Sequence, residues 1–265
     1  MLITHADAIT LKLKNCDVFK RSHLFYMKGI NRAVAVAELN YEAYKAFSET
    51  TLFKEHANII NEEKELENFH KSGKSIGADE YPWPKSLKTF GSYRNLEYLK
   101  IGYGFELSLK SKLLDAGYVI HEIDSSDPKY AQIAKKQKKT PIKVDELMSI
   151  SGYMFNGEQN ILPGITSKSI AFSIILEKNA YVKVYTLNNK SLQIIRDYKD
   201  LRNTTHLPGD AVETKALSLT TWEDKISFLR NYVNDHIVEH NRVILKSLNY
   251  PDSLLNIPEW SLAQN

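Results

Sequence analysis

An arginine and a histidine near residue 204 carry side chains suited to phosphate and proton chemistry. The stretch LRNTTHLPG, residues 201–209, contains Arg202, Asn203 and His206. Four residues correspond to about 400° of helical rotation, so Arg202 and His206 lie nearly on one face of a helix. A guanidinium suits a phosphate, and an imidazole gives or takes a proton near neutral pH. This spacing predicts a phosphoryl-transfer site; the alternative is a helix-capping histidine beside a solvated arginine.

A second arginine–histidine pair lies in FLRNYVNDHIVEHN, where Asn231 follows Arg230 and His236 comes later. Six residues correspond to about 600° of rotation, so the two side chains diverge by about 120° in a straight helix. They converge only if the helix kinks. Arg230 and His236 are therefore the second choice for the reactive pair.

The same stretch contains His236, Glu239 and His240, in the H-x-x-E-H order of inverted zinc peptidases. Such a site needs a third protein ligand from a downstream helix, and residues 241–265 offer few carboxylates. We therefore expect two histidines on a surface helix. No metal and no cofactor are expected.

Composition limits the classes of protein that are compatible with this chain. The chain has 265 residues, 43% of them hydrophobic, which is enough for a sizeable core. A net charge of +3 permits nucleic-acid binding without indicating it. Cys16, the single cysteine, excludes an intrachain disulfide and favours a reducing compartment. Because no apolar run suits a signal peptide or a membrane span, we expect a cytoplasmic protein without membrane contact.

Helical periodicity predicts the elements that precede the two arginine–histidine pairs. Asn31 can cap a helix that extends past residue 60, and a loop follows at 73–86. A second helix is predicted from about Tyr93 to Ala116, with Gly117 at its C′ position. The apolar ridge of this helix comprises Phe105, Leu109 and Leu113.

The later part of the chain reads as further helices with little strand. Residues 167–179 look helical, and residues 180–187 alternate like a short strand. Another helix should end near His206, because Pro208 disfavours helical geometry at the residue before it. Thr220 to Glu223 fits a capping box that opens the last helix. We predict a single all-α domain over 1–265, with a solvated lysine run at 135–139 and at most a small β-hairpin near 180–187. The apolar face of the last helix comprises Ile226, Leu229, Val233, Ile237 and Ile244.

Two segments resemble the HEPN family (higher eukaryotes and prokaryotes nucleotide-binding). The segment 104–124, GFELSLKSKLLDAGYVIHEID, is similar to a family helix, and 198–211, YKDLRNTTHLPGDA, is similar to the family's R-N-x-x-x-H signature. The resemblance implies a HEPN-like helical bundle with a core over 90–250 and a variable extension over 1–30. Matching positions in the first segment are Glu106, Lys110, Gly117, His121, Glu122 and Ile123.

The two pairs meet the family pattern differently. Family members usually place four to six residues between the arginine and the histidine. Arg202 and His206 enclose three residues, whereas Arg230 and His236 enclose five. Local context favours the first pair and the residue count favours the second, so both remain candidates.

The resemblance also implies a function, a metal-independent RNA endonuclease that acts as a toxin or in antiviral defence. Family nucleases typically form homodimers in which both Arg/His pairs line one cleft, and an antitoxin is a further partner that the resemblance suggests. The alternative is a non-catalytic HEPN-like interaction module, for example the partner of a nucleotidyltransferase. Catalysis itself is therefore an open question at the level of the sequence.

Overall fold

The computed structural model describes Tyr26 and residues 30–73, 85–152, 162–204, 219 and 221–247. Within these ranges the protein is mostly helical, with 73% of residues in helices and a two-stranded sheet. The predicted all-α class is therefore confirmed. Most of the predicted extension over 1–30 and most of the loop at 73–86 lie outside the described residues.

In the described ranges, no helix combines the length and the apolar character that crossing a membrane requires.

In chain order the elements are α1 Ile30–Ser48, α2 Thr51–Lys54, α3 His56–Lys71, α4 Lys85–Ser92, α5 Arg94–Asp115, β1 His121–Ile123, α6 Ala131–Gln137, α7 Val144–Ser151, β2 Ile165–Ser169, α8 Phe172–Glu177, α9 Asn179–Val182, α10 Asn189–Thr204, α11 Trp222–Val233, a π-helical turn Asn234–Val238 and α12 Glu239–Ser247.

The described residues divide into two compact units, and each is discontinuous in sequence. The first unit draws on 1–43, 106–187 and 236–265, and the second on 44–105 and 188–235. Each unit is described below by itself. The single domain over 1–265 and the core over 90–250 stay predictions.

In the first unit, an ion pair on α5 reaches the small sheet. Lys110 donates to the carboxylate of Glu106, as the four-residue spacing predicts, and also to the hydroxyl of Ser169 on β2 at 2.8 Å. Glu106 and Lys110 are buried, with exposed fractions of 8% and 5%. Removing one member of a buried pair leaves the other charge uncompensated, so the pair fixes α5 against β2.

The end of α5 follows the prediction from the sequence. Gly117 has a φ of +78°, the left-handed conformation expected at C′. Its N–H donates to the carbonyl of Leu114 at 2.9 Å, and the N–H of Tyr118 donates to that of Leu113 at 2.9 Å. The chain then turns directly into β1.

Residues 180–187, where the sequence allowed at most a small hairpin, form no strand. The sheet is formed by β1 and β2, which pair antiparallel with His121 opposite Ser169 and Ile123 opposite Ile165. The stretch predicted as helix over 167–179 begins as β2, and residues 180–187 begin within α9. Tyr181 lies in α9 and Tyr185 lies beyond the end of that helix, and both side chains are buried.

A side-chain amide occupies the edge of β1 that faces away from β2. The N–H of Ile123 donates to Gln137 Oε1 at 2.9 Å, and Gln137 Nε2 donates to the carbonyl of His121 at 2.8 Å. The hydroxyl of Tyr181 donates to the backbone carbonyl of Gln137 at 2.7 Å. Gln137 is thus fixed from both sides, while the lysines around it at 135, 136, 138 and 139 are exposed, as predicted.

Tyr26 is fully buried and hydrogen-bonds the start of β1. Its hydroxyl oxygen accepts from the N–H groups of Ile120 and His121, each at 3.0 Å. The single phenolic proton is therefore donated to His121 Nδ1 at 2.5 Å. Burial raises the pKa of the Tyr26 phenol well above its ordinary value, so this donor stays protonated.

The predicted long N-terminal helix is broken into α1, α2 and α3, and both breaks lie in the second unit. The hydroxyl of Thr50 donates to the carbonyl of Phe47 at 2.7 Å, where α1 ends. The carboxylate of Glu97 then accepts from the backbone N–H of Thr51 at 2.8 Å and from its hydroxyl at 3.0 Å. A carboxylate at a helix N-terminus stabilises that end, and this contact is distant in sequence and invisible to periodicity.

Two further glutamates cap helices of the second unit in the same way. Glu62 accepts from the N–H of Ser86 at 3.1 Å, near the start of α4. Glu63 accepts from the N–H of Trp222 at 3.1 Å, at the first residue of α11. These caps position α4 and α11 against α3.

The last helix begins one residue later than predicted. The N-cap is Thr221, whose hydroxyl accepts from the N–H of Asp224 at 3.0 Å, so the predicted Thr220–Glu223 box is shifted by one residue. The predicted apolar face of this helix is buried throughout. The prediction lacked the π-helical turn Asn234–Val238, which interrupts the helix.

Replacing Tyr26 by Phe should destabilise the first unit. The change leaves two buried N–H groups without an acceptor, which costs about 1–3 kcal/mol. Urea unfolding followed by circular dichroism measures the difference. Tyr41→Phe is the control, because its half-exposed hydroxyl makes no described hydrogen bond. Equal stability of the two variants would contradict the assigned role of the Tyr26 hydroxyl.

Candidate functional site

The helix that carries Arg202 is anchored by a buried apolar face. Leu192, Ile195, Tyr198 and Leu201 recur every three residues along α10, and all are buried. Tyr198 lies against the ring of Phe105, with ring centroids 5.6 Å apart. The apolar face therefore fixes the rotation of α10 and leaves Arg202 half-buried and Asn203 exposed in its last turn.

Arg202 lies against a glycine of α5. A Cβ atom built on Gly102 would lie 2.8 Å from Arg202 Cδ and 3.0 Å from Arg202 Cβ. The aliphatic part of the arginine thus occupies space that only a glycine leaves open, and the long side chain can still direct its charged end elsewhere. His206, the predicted partner of Arg202, lies outside the described residues.

Arg230 and His236, the second arginine–histidine pair, belong to different units. Arg230 is half-buried on α11 in the second unit, and burial lowers the pKa of its guanidinium. His236 is half-buried in the π-helical turn Asn234–Val238, which belongs to the first unit. Straight-helix geometry does not apply across a π-helical turn, and such turns are frequent at functional sites.

His240, the second histidine of the H-x-x-E-H stretch, uses both ring nitrogens inside the first unit. Asn40 Nδ2 donates to His240 Nδ1 at 3.1 Å, and His240 Nε2 lies 3.2 Å from Asp115 Oδ2. Ser111 donates to Asn40 Oδ1 at 2.6 Å, which orients the amide. A metal on His240 would have to displace one of these contacts.

Across the described ranges, no three His, Cys, Asp or Glu side chains gather as metal ligands would. The prediction that His236 and His240 hold no zinc stays a prediction. The contacts of His240 describe instead a histidine that joins α12 to α1 and α5.

The lysine and serine that meet at β2 form an arrangement known from Ser–Lys hydrolases, but with the wrong polarity. Such a hydrolase needs a lysine that accepts the hydroxyl proton. Lys110 donates to Glu106 and to Ser169 instead, so the Ser169 hydroxyl is an acceptor there. Glu106 and Lys110 thus act as a structural pair between α5 and β2.

Reasoning from the sequence missed several residues that shape these sites. Gly102 did carry a signal, because a glycine inside a strongly helical pattern marks a close approach by another element. Asn40 and Gln137 carried none, since their partners lie far away in sequence or on a short strand.

Replacing Gly102 by Ala should move the Arg202 side chain while the protein stays folded. Alanine favours the helix by about 1 kcal/mol, the flexible Cγ and Cδ atoms of Arg202 can swing away, and the Arg202 Cβ atom has to move by only a few tenths of an ångström. Labelling with phenylglyoxal, read by mass spectrometry, should show faster modification of Arg202.

Gly104→Ala is the matched control. A Cβ atom at Gly104 would lie 2.6 Å from the buried ring of Phe47, so this change should cost about 1–3 kcal/mol of stability. Unchanged labelling of Arg202 in Gly102→Ala would show that the arginine does not depend on the glycine.

Comparisons of the chain with protein-family models, with curated proteins and with solved structures find no match. The HEPN resemblance therefore depends on the two segments 104–124 and 198–211 alone.

Proposed function

We propose that the protein is a metal-independent RNA endonuclease of the HEPN type, with Arg202 and His206 as its catalytic pair and Asn203 beside them. The observation that carries the proposal is the placement of Arg202. This residue lies half-buried in the last turn of an anchored helix, against Gly102, and His206 follows four residues later. The aliphatic part of its side chain is held against α5.

In the proposed reaction, His206 takes the proton of a ribose 2′-hydroxyl. The 2′-oxygen attacks the adjacent phosphorus, and the bond from phosphorus to the 5′-oxygen breaks. The guanidinium of Arg202 stabilises the charge that builds on the phosphorane oxygens, a role suited to its planar, two-pronged donor geometry. The products are a 2′,3′-cyclic phosphate and a 5′-hydroxyl.

The leaving 5′-oxygen needs a proton, so the reaction requires an acid as well as a base. One chain with one Arg/His pair supplies one such group. A homodimer with two pairs facing one cleft supplies both, and we propose that the end of α10 contributes to that interface. The proposed role in the cell is that of a toxin or an antiviral effector, held in check by an antitoxin.

A second candidate function has an observation of its own. Leu96, Leu99 and Tyr103 are exposed on α5, with exposed fractions of 47%, 39% and 47%. They fall on one side of the helix in the second unit, and exposed apolar groups that cluster mark interaction surfaces. This stripe suits a non-catalytic HEPN-like module that docks on a partner such as a nucleotidyltransferase.

Mutations in the first pair should separate the two functions. RNA incubated with the protein in EDTA should be cleaved, and the cleavage should fall at least about a hundredfold in His206→Ala, the range expected for loss of a general acid or base. Arg202→Lys should also lose most activity, because an ammonium keeps the charge but not the two-pronged geometry. Gel analysis of a 5′-labelled RNA measures both effects.

Arg230→Lys and His236→Ala are the matched controls for this comparison. Both should cleave at nearly the parent rate, with circular dichroism confirming that every variant is folded. The reverse order, with His236→Ala inactive and His206→Ala normal, would assign catalysis to the second pair. Parent-like cleavage by all four variants, or no cleavage by the parent, would favour the interaction module.

The proposed composite cleft predicts a dimer. Light scattering over a range of protein concentrations should give the mass of two chains. Mixing the inactive variants Arg202→Lys and His206→Ala should not restore activity, because a cleft formed by one chain of each keeps only one histidine and therefore lacks either the acid or the base. A monomer that retains full activity would refute the composite cleft while leaving the catalytic pair intact.

A further inference from the structure

His240, in the first unit, is held at both nitrogens of its ring. Nε2 lies 3.2 Å from Asp115 Oδ2, and an ionised carboxylate only accepts, so Nε2 carries a hydrogen. At the other end, Asn40 Nδ2 lies 3.1 Å from Nδ1, and an amide nitrogen only donates. Nδ1 is therefore an acceptor, and these contacts describe a neutral imidazole with its hydrogen on Nε2.

A serine on α5 sets the orientation of the Asn40 amide. The Ser111 hydroxyl donates to Asn40 Oδ1 at 2.6 Å, and the backbone carbonyl of Ser108 lies 2.8 Å from the same hydroxyl. Asn40, Ser108 and Ser111 all have an exposed fraction of 0%. Because a hydroxyl has a single proton, Ser111 has a second acceptor already in place if its proton leaves Asn40.

A proton on His240 Nδ1 is incompatible with this orientation of the amide, because the N–H of the imidazolium would face the N–H of Asn40. A half-turn of the Asn40 amide removes the conflict. Oδ1 then accepts from Nδ1, and Nδ2 donates to the oxygen of Ser111. The Ser111 proton turns to the Ser108 carbonyl. Both protonation states of the imidazole therefore have a complete set of hydrogen bonds with the heavy atoms in the same places.

The charged groups around His240 allow its charge to change. From α5, the Asp115 carboxylate favours an imidazolium, whereas the Lys112 ammonium, which interacts with the same carboxylate, opposes it. The amide that faces the ring from α1 is neutral. On α12 itself, Glu239 and Arg242 pair with each other. The side chain of His240 is 14% exposed, so protons from the solvent can reach the ring.

We propose that His240, Asn40 and Ser111 form a pH-sensitive switch, in which protonation of His240 Nδ1 reverses the side-chain amide of Asn40. The reversal redirects the Ser111 hydroxyl to the Ser108 carbonyl. A proton bound on α12 thus changes a hydrogen bond inside α5 through a side chain of α1. The proposal goes beyond the proposed nuclease function and does not depend on it.

His121, in the same unit, is a histidine whose partner has no second arrangement. The Tyr26 hydroxyl donates its one proton to His121 Nδ1, and its oxygen accepts from the backbone N–H groups of Ile120 and His121. Backbone N–H groups cannot become acceptors, so the hydroxyl cannot reverse as an amide does. His121 is therefore the internal control for the switch.

An NMR titration of the full ¹⁵N-labelled chain with acid tests the switch. At high pH, the ring of His240 should show the tautomer with its hydrogen on Nε2. On acidification, the side-chain NH₂ signals of Asn40 should move with the same midpoint as the ring nitrogens of His240, while His121 keeps its tautomer. Three results would each overturn the proposal: Asn40 signals that stay in place while His240 titrates, a His240 with its hydrogen on Nδ1 at high pH, or a His240 that stays neutral until the protein unfolds.

Two variants separate the amide from the carboxylate, with circular dichroism confirming that each is folded. Asn40→Asp offers Nδ1 a charged acceptor, so the midpoint of His240 should rise by at least about one pH unit, the equivalent of one hydrogen bond to a charged group.

Asp115→Asn, at a side chain that is 46% exposed, should lower the midpoint of His240, and the Asn40 signals should still follow it, because the reversal depends on Nδ1. Asn40 signals that lose their pH dependence in Asp115→Asn would assign the response to the carboxylate and overturn the switch. This second variant keeps the test decisive if Asn40→Asp does not fold.

Discussion

Close approach to α5 is the constraint on which both the core of the second unit and the proposed site depend. Gly104 leaves room for the ring of Phe47, which lies at 5.0 Å from the ring of Phe105 in an edge-on arrangement. Two residues earlier, Gly102 leaves room for the stem of Arg202. A glycine in a helix interior is less favourable than an alanine by about 1 kcal/mol. Gly102 and Gly104 each lower the helical stability of α5 in this way, and each makes room for a neighbouring side chain. The aromatic core and the position of the arginine thus have one physical origin.

The sequence predicted what local spacing controls. The bounds of α5, its apolar ridge and its stop at Gly117 follow from three- and four-residue periodicity and from the left-handed preference of glycine. The sequence did not predict the strands β1 and β2, because their pairing joins segments more than forty residues apart. Short strands make no periodic signal of their own, and their stability comes from partners that no window contains.

The same division applies to the candidate sites. Arg202 and Asn203 were placed at the end of a helix by pattern alone, and the structure describes them there. The glutamates that cap α2, α4 and α11 act on residues between 24 and 159 positions away. Glu97 acts where the predicted N-terminal helix is broken, and Glu63 acts at the first residue of α11. Carboxylates that are distant in sequence therefore outweigh the local helix propensity at these positions.

The amide of Gln137 has a consequence for the behaviour of the protein at high concentration. A strand edge with free N–H and C=O groups recruits foreign strands and so promotes sheet growth between molecules. On β1 those groups are already saturated by a side chain that belongs to a helix and cannot propagate the ladder. Any peptide that adds to this edge must first break the two hydrogen bonds between the Gln137 amide and β1, while the Tyr181 hydroxyl holds the Gln137 backbone carbonyl. The glutamine therefore ends the sheet at this edge of β1, where the addition of a foreign strand is disfavoured.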